Sequence, residues 1–98
     1  MKTVIIIPAR YKSSRFPGKP LTLILGKEMI LWVAELCSRV ISTENIYVAT
    51  EDFRIKNTVE KAGFNVIMTS DTPLTGTDRL AEAANQIEAD IYINVQGD

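Results

Sequence analysis

Five residues near the start of the chain restrict its fold most. Thr3-Val4-Ile5-Ile6-Ile7 is an almost wholly apolar, β-branched run with no polar–apolar alternation. A strand with one wet face alternates with period two, so this run reads as a strand covered on both faces, the mark of a parallel sheet between helices. Pro8 ends the run, and four cations follow: Arg10, Lys12, Arg15 and Lys19. Ser13 and Ser14 add hydroxyls, and Pro17-Gly18 imposes a turn. A buried first strand that opens into a stiff, cationic, hydroxyl-bearing loop is where α/β nucleotide-binding folds hold phosphates. A solvated basic loop is the alternative, and spacing alone leaves both open.

The rest of the chain alternates strands with helices. Met29 to Ile41 reads as a helix with Met29, Val33, Leu36, Cys37, Val40 and Ile41 on its inward stripe; Trp32 lies off that stripe. Ile46 to Thr50 is a second strand. Asp52 caps a helix carrying Ile55, Val59 and Ala62, which Gly63 closes. Phe64 to Thr69 is a third strand, and Ser70 to Leu74 a loop. A helix from about Thr77 to Ile87 turns Leu80, Ala84 and Ile87 inward, and Ile91 to Val95 is the fourth strand. The pattern β-loop-α-β-α-β-α-β implies a Rossmann-like three-layer α/β/α fold with a parallel sheet of about four strands, order 3-2-1-4, and right-handed crossovers.

Bulk properties narrow the function classes. A chain of 98 residues holds one domain, residues 1–98. With 46% apolar and 23% charged residues it has the make-up of a folded protein, not a disordered tail. A net charge of −1 gives no field that would draw nucleic acid or an anionic membrane, so the cations matter only because one loop concentrates them. The absence of histidine excludes Ser-His and Cys-His mechanisms and leaves oxygen-ligated cations as the natural metals. Cys37 is the only cysteine and sits on an apolar stripe, which suits a core thiol and a reducing cytoplasm. No segment has the length of a secretory signal or a membrane span.

Three constellations could carry chemistry. The basic loop is neither a Walker A sequence nor G-x-G-x-x-G, so any phosphate it held would rest on the guanidinium forks of Arg10 and Arg15 and the ammonium of Lys19. Asp98 follows a buried-looking strand and flexible Gly97, where a carboxylate can share Mg²⁺ with substrate phosphates; a solvated chain end is the alternative. In the order 3-2-1-4 the fourth strand lies beside the first, which brings Asp98 and the basic loop to one topological switch point. Thr75-Gly76-Thr77-Asp78-Arg79 opens a helix with hydroxyls that can cap it. Arg79 opposes the positive end of that helix, so it either pairs with Asp78 or Asp71 or addresses a ligand. Thr50-Glu51-Asp52 reads mainly as a capped strand-to-helix turn.

These residues together resemble the 3-deoxy-manno-octulosonate (KDO) cytidylyltransferases. The matching segments are Ile7 to Pro20, Gly26-Lys27 with Met29-Ile30, Val48-Ala49-Thr50, Gly76 to Glu82 and Asn94-Val95-Gln96-Gly97-Asp98. They span the whole chain in family order, and Tyr11-Lys12 is similar to the KDO branch. The resemblance implies an N-terminal portion of a nucleotidyltransferase fold that is incomplete at its C-terminus. It implies cytidylyl transfer from CTP to the anomeric hydroxyl of an eight-carbon acid sugar, for lipopolysaccharide precursor synthesis, with release of pyrophosphate and with Mg²⁺. On that likeness Arg10 and Lys19 hold the triphosphate as the catalytic cations. Pro8 and Ala9 present backbone to the cytosine, Thr75, Gly76, Thr77 and Arg79 border the nucleotide, Gln96 reaches the sugar and Asp98 takes the metal. The sequence departs from the family where Pro73 and Thr75 replace a usual histidine and serine. The remaining alternatives are a non-catalytic module binding nucleotide or a partner chain, and a nucleotidyltransferase for another acid sugar or nucleobase. Strand 91–95, apolar on both faces with nothing to follow it, is expected to make a homo-oligomer contact.

Overall fold

β1 (Thr3–Pro8) sits inside the sheet, with a parallel neighbour on each side. The computed structural model describes residues 1–12, 16–70 and 76–96, with residues 76–78 described by backbone only. In chain order the further elements are β2 (Leu23–Ile24), β3 (Lys27–Glu28), α1 (Met29–Ser38), β4 (Ile46–Thr50), α2 (Phe53–Lys61), β5 (Asn65–Met68), α3 (Gly76–Ala84) and β6 (Ile91–Asn94). The main sheet has the order β5-β4-β1-β6 and is parallel throughout. This is the expected 3-2-1-4 arrangement once the small antiparallel hairpin β2–β3 is set aside. That hairpin was not expected: its strands are two residues long, too short to show a period.

The alternation of β1 side chains divides the core in two. Ile5 and Ile7 face α1 and α2 and join Ile30, Leu31, Ala34, Ile46, Val48, Ile55, Val59 and Phe64. Val4 and Ile6 face the other way and pack with Ala49, Ile67, Ala83 and Ile87 under α3. Val4, Ile6 and Ile7 are all fully buried, as a run covered on both faces requires.

The inward face of α1 is a correction to the sequence reading. Its buried residues are Ile30, Leu31, Ala34 and Cys37, with Val33 packed partly buried against the same core as expected, whereas Leu36 is 63% exposed and Val40 81% exposed. Nearly every position of 29–37 is apolar, so spacing alone admits more than one stripe, and contact with the sheet selects one. The helix ends at Ser38, and Ile41 then packs on the core from beyond the helix end. Trp32 does cover a neighbouring surface. Its Nε1–H donates to the Ile24 carbonyl at 2.8 Å and the Lys27 ammonium lies 3.8 Å from its ring centroid, which fastens the hairpin to α1. Cys37 is a buried core thiol whose pKa burial pushes up from 9.0.

α2 is delimited as expected at both ends. The Asp52 carboxylate accepts from the Arg54 N–H at 2.8 Å and binds the Arg54 side chain at 3.0 and 2.8 Å. At the other end Gly63 takes φ +92°; its N–H bonds Glu60 O at 3.0 Å, and the Phe64 N–H bonds Val59 O at 3.2 Å. This is a Schellman closure, with Phe64 and Val59 in one core cluster. Ala62, expected inside, is exposed because it is the cap itself. The side-chain hydrogen bond from Arg54 holds the Asp52 carboxyl below its ordinary 3.8. A depressed carboxylate pKa adds stability that is complete above the unfolded value and fades as pH falls through the lower folded one. Asp52→Ala is therefore expected to cost about 1 kcal/mol at neutral pH. Urea titrations should find that difference shrinking below pH 4, the ordinary carboxylate range; a gap that is constant with pH would refute the cap assignment.

β6 is held beside β1 by bonds at its start. Asp90 N–H and Ile91 N–H donate to Lys2 O at 2.9 and 3.1 Å, and Lys2 N–H donates to the Asp90 carboxylate at 2.7 Å. Its side chains stay open: Ile91, Tyr92 and Ile93 are 39%, 37% and 40% exposed.

Candidate nucleotide site at the strand tips

Because the four strands are parallel, their C-terminal ends share one edge of the sheet. The register sets Pro8 opposite Ala49 and Ile6 opposite Asn94. Arg10, Glu51 and Gln96 thus leave β1, β4 and β6 at that edge, which is the ligand-binding edge of open α/β sheets. Val95 N–H still bonds Ile6 O at 3.1 Å, so Gln96 is the first residue free of the ladder. Asp98, expected to take the metal, lies outside the described residues, as do Ser13, Ser14, Arg15 and Thr75.

The basic loop leaves β1 under tight constraint. Ala9 is buried, and its N–H donates to Ala49 O at 2.8 Å. Pro8 has no N–H, so any backbone contact from these two residues to a base goes through carbonyl oxygens. Further on, Gly18 N–H donates to Tyr11 O at 2.7 Å and closes the loop at its neck. Gly18 has φ +76°, and a Cβ built there would meet Tyr11 Cε2 at 3.0 Å. Glycine is thus required twice, for the left-handed backbone and for the approach of the ring. Arg10 precedes and Lys19 follows this closed pair, so the two cations emerge from the same neck. Lys19 opens a short 3₁₀ turn, Lys19–Leu21, that seats buried Pro20.

Two carboxylates at this edge have partners that the sequence did not show. Glu51 reaches across from the end of β4, and its oxygens accept the Tyr11 N–H at 3.1 Å and the Lys12 N–H at 3.0 Å. Glu82 of α3 accepts the Ser70 N–H at 2.6 Å and the Ser70 hydroxyl at 2.8 Å. Main-chain amides are their partners, and an amide carries no side-chain signature that a sequence could display. The Arg54 guanidinium lies 3.4 Å from the Tyr11 ring centroid and braces the same neck from α2.

Arg79 is fully buried. Its Nη1 donates to the Thr69 hydroxyl and, at 3.3 Å, to Ser70 O. It therefore ties α3 to the segment leaving β5, beside Thr50 O, which accepts the Thr69 N–H at 2.9 Å. Gly76 and Thr77 form the first turn of α3. Among the described residues no group of three or more acidic, cysteine or histidine side chains could hold a metal.

The family described as cytidylyltransferase matches residues 4–98 of this chain. The chain belongs to the cytidylyltransferase family. Among curated proteins it is 55% identical to 3-deoxy-manno-octulosonate cytidylyltransferase 2 of Hydrogenovibrio crunogenus, over all of this chain and 41% of that protein. It is 52% identical to the 8-amino-3,8-dideoxy-manno-octulosonate cytidylyltransferase of Shewanella oneidensis, again over all of this chain and 41% of the other. Among solved structures it superposes with a TM-score of 0.94, at 51% identity, on CMP:2-keto-3-deoxy-manno-octonic acid synthetase complexed with CTP, covering 100% of this chain and 41% of that one. The chain thus spans about two fifths of the length of the cytidylyltransferases it matches, and that stretch includes the basic loop and the tips of all four strands.

Proposed function

We propose that this cytidylyltransferase-family chain binds CTP at the tips of β1, β4 and β6 and supplies the nucleotide-binding half of a cytidylyl transfer to an eight-carbon acid sugar. The observation that carries the reading is the pinned neck of the basic loop, which delivers Arg10 and Lys19 from one point at the ligand-binding edge. The likeness of the whole chain to a synthetase complexed with CTP supports it. Arg10 and Lys19 neutralise the triphosphate. The carbonyls of Pro8 and Ala9 suit the exocyclic amine of cytosine, a donor where uracil has an acceptor. Thr75, Gly76 and Thr77 border the nucleotide, while the buried Arg79 ties α3 to Thr69 and Ser70, and Gln96 faces the sugar.

In the reaction the anomeric hydroxyl of the sugar attacks the α-phosphorus of CTP. The bond from that phosphorus to the bridging oxygen breaks, and pyrophosphate leaves while the proton of the hydroxyl passes to water. Such a transfer depends on in-line placement and charge neutralisation more than on a protein base. Asp98 would hold Mg²⁺ together with substrate oxygens, because Mg²⁺ keeps most of its shell as water and phosphate and needs only one or two carboxylates. When bound it neutralises charge on the phosphates. KDO and its 8-amino analogue are both candidate acceptors, since relatives of the two names match at 55% and 52% identity. The buried lone thiol suits a cytoplasmic setting, and no helix among the described residues is long and apolar enough to cross a membrane.

Calorimetric titration with CTP, UTP and GTP in the presence of Mg²⁺ tests the reading. CTP is expected to bind at least tenfold tighter than UTP, the discrimination that one well-formed base contact gives. Equal affinities would reject cytosine recognition, and no binding of any triphosphate would reject the site.

The open β6 favours self-association of the 98-residue chain through Ile91–Val95. Parallel sheets are ordinarily covered on both faces, and a second copy would shield the partly exposed Ile91, Tyr92 and Ile93. Sedimentation at tens of micromolar is expected to find a dimer that Ile93→Lys disperses. A wild-type monomer at that concentration would remove the reading.

A further inference from the structure

We infer that Glu51 is the positioning residue of the basic loop: its carboxylate fixes the main chain at Tyr11 and Lys12 and thereby sets where Arg10 points. The inference rests on the nucleotide-site reading above and assigns a part of it that the loop's own residues do not supply. Three observations carry it. Both carboxylate oxygens face the Tyr11 N–H at 3.1 Å, and one also accepts the Lys12 N–H at 3.0 Å, so one side chain satisfies two consecutive loop amides. These are bonds to an ionised acceptor, roughly twice as strong as neutral ones. Secondly, Glu51 is itself held. Its neighbour Thr50 is fully buried, donates its hydroxyl to Glu51 Oε1 at 3.3 Å and accepts the Asp52 N–H at 3.3 Å. The carboxylate therefore projects from the rigid tip of β4, with α2 starting immediately behind it. Thirdly, the clamp acts directly beside the cation. Arg10 lies between Ala9, whose N–H is fastened to Ala49, and Tyr11, whose N–H is fastened to Glu51. With the preceding residue anchored to β4 and the following peptide anchored to Glu51 just past its end, the backbone that carries the guanidinium has little freedom left.

A carboxylate so placed also brings its negative charge near a loop meant for phosphates. Its oxygens are occupied by the Tyr11 and Lys12 amides, whose N–H dipoles offset part of that charge.

Glu51→Gln keeps the size of the side chain but turns one acceptor into an NH₂ group that confronts the loop N–H donors. Hydrogen exchange of the Tyr11 and Lys12 amides, followed by NMR in the 98-residue chain, is expected to quicken about tenfold or more, the loss for a bond to a charged group. CTP affinity should fall about tenfold. Glu51→Asp, which keeps the charge and both oxygens, should recover part of each loss and provides the readout if the glutamine variant does not fold. Glu82→Gln, which loosens the separate clamp on Ser70, should leave the Tyr11 and Lys12 amides unchanged. Unaltered exchange at both amides in Glu51→Gln would overturn the clamp. Faster exchange with undiminished CTP affinity would overturn the positioning role. If the wild type itself bound no CTP, the functional reading would fail, and amide exchange would still decide whether Glu51 holds the loop.

Discussion

Ile7→Ala will lower the melting midpoint by roughly 12–24 °C, whereas Val40→Ala will leave it nearly unchanged. Ile7 is fully buried at the centre of the sheet, against the α1–α2 layer. Removing three carbons from such a position costs about 2–5 kcal/mol, because the lost transfer energy is joined by a cavity that a sheet strand cannot collapse to fill. At about 3 kcal/mol, and with 4–8 °C per kcal/mol for a domain of this size, the stated range follows. That is a large part of the roughly 5–15 kcal/mol that holds a small domain together. Ile7→Val, one methylene smaller, should cost only about 1 kcal/mol and so separates a graded packing effect from simple failure to fold. Val40 looks equally apolar in the sequence, yet it is 81% exposed, and surface changes of that kind usually stay within about 0.5 kcal/mol. Thermal melts followed by circular dichroism measure all three. A Val40→Ala loss as large as that of Ile7→Ala would restore the stripe that spacing first suggested for α1.

Arg10→Ala and Lys19→Ala will each weaken CTP binding about 10- to 100-fold. A charge-assisted bond to phosphate contributes about 1.5–3 kcal/mol, and 1.4 kcal/mol is one decade in affinity. The two should differ in how they are rescued. Arg10→Lys keeps the charge but loses the planar fork that grips two oxygens, so it should recover only part of the loss; Lys19→Arg keeps a cation where a point charge suffices. Salt provides a second signature. Raising ionic strength screens these contacts and should cost the wild type more affinity than either alanine variant. Cytidine, which carries no phosphate, should bind all forms alike. Calorimetry at two salt concentrations gives the whole set. Undiminished CTP affinity in both alanine variants would strip the basic loop of its phosphate role and leave the solvated-loop alternative standing.

Reading the chain as a string recovered the features that repeat locally. Short apolar, β-branched runs located all four main strands and period-3.6 patterns all three helices, and the double-sided apolarity of Thr3–Ile7 predicted a parallel sheet with β1 inside it. The capping aspartate at 52 and the closing glycine at 63 were legible because each acts on amides or dihedrals within a few residues of itself. The basic loop and its family likeness were legible for a similar reason, as one contiguous segment from Ile7 to Pro20. Tertiary structure decided everything that depends on which groups meet across the chain. The face of α1 was undetermined because its residues are apolar all round, and only the sheet against it chose Ile30, Leu31, Ala34 and Cys37. Glu51 acquired its task from amides 39 and 40 residues away, and Arg79 its buried place from a hydroxyl and a carbonyl beyond β5. A hydrogen bond to the main chain can be met by any residue type, so sequence cannot reveal its partner. Apolar periodicity is a property of the segment itself, and that is why the sequence determined the elements while the fold alone assigned their polar partners.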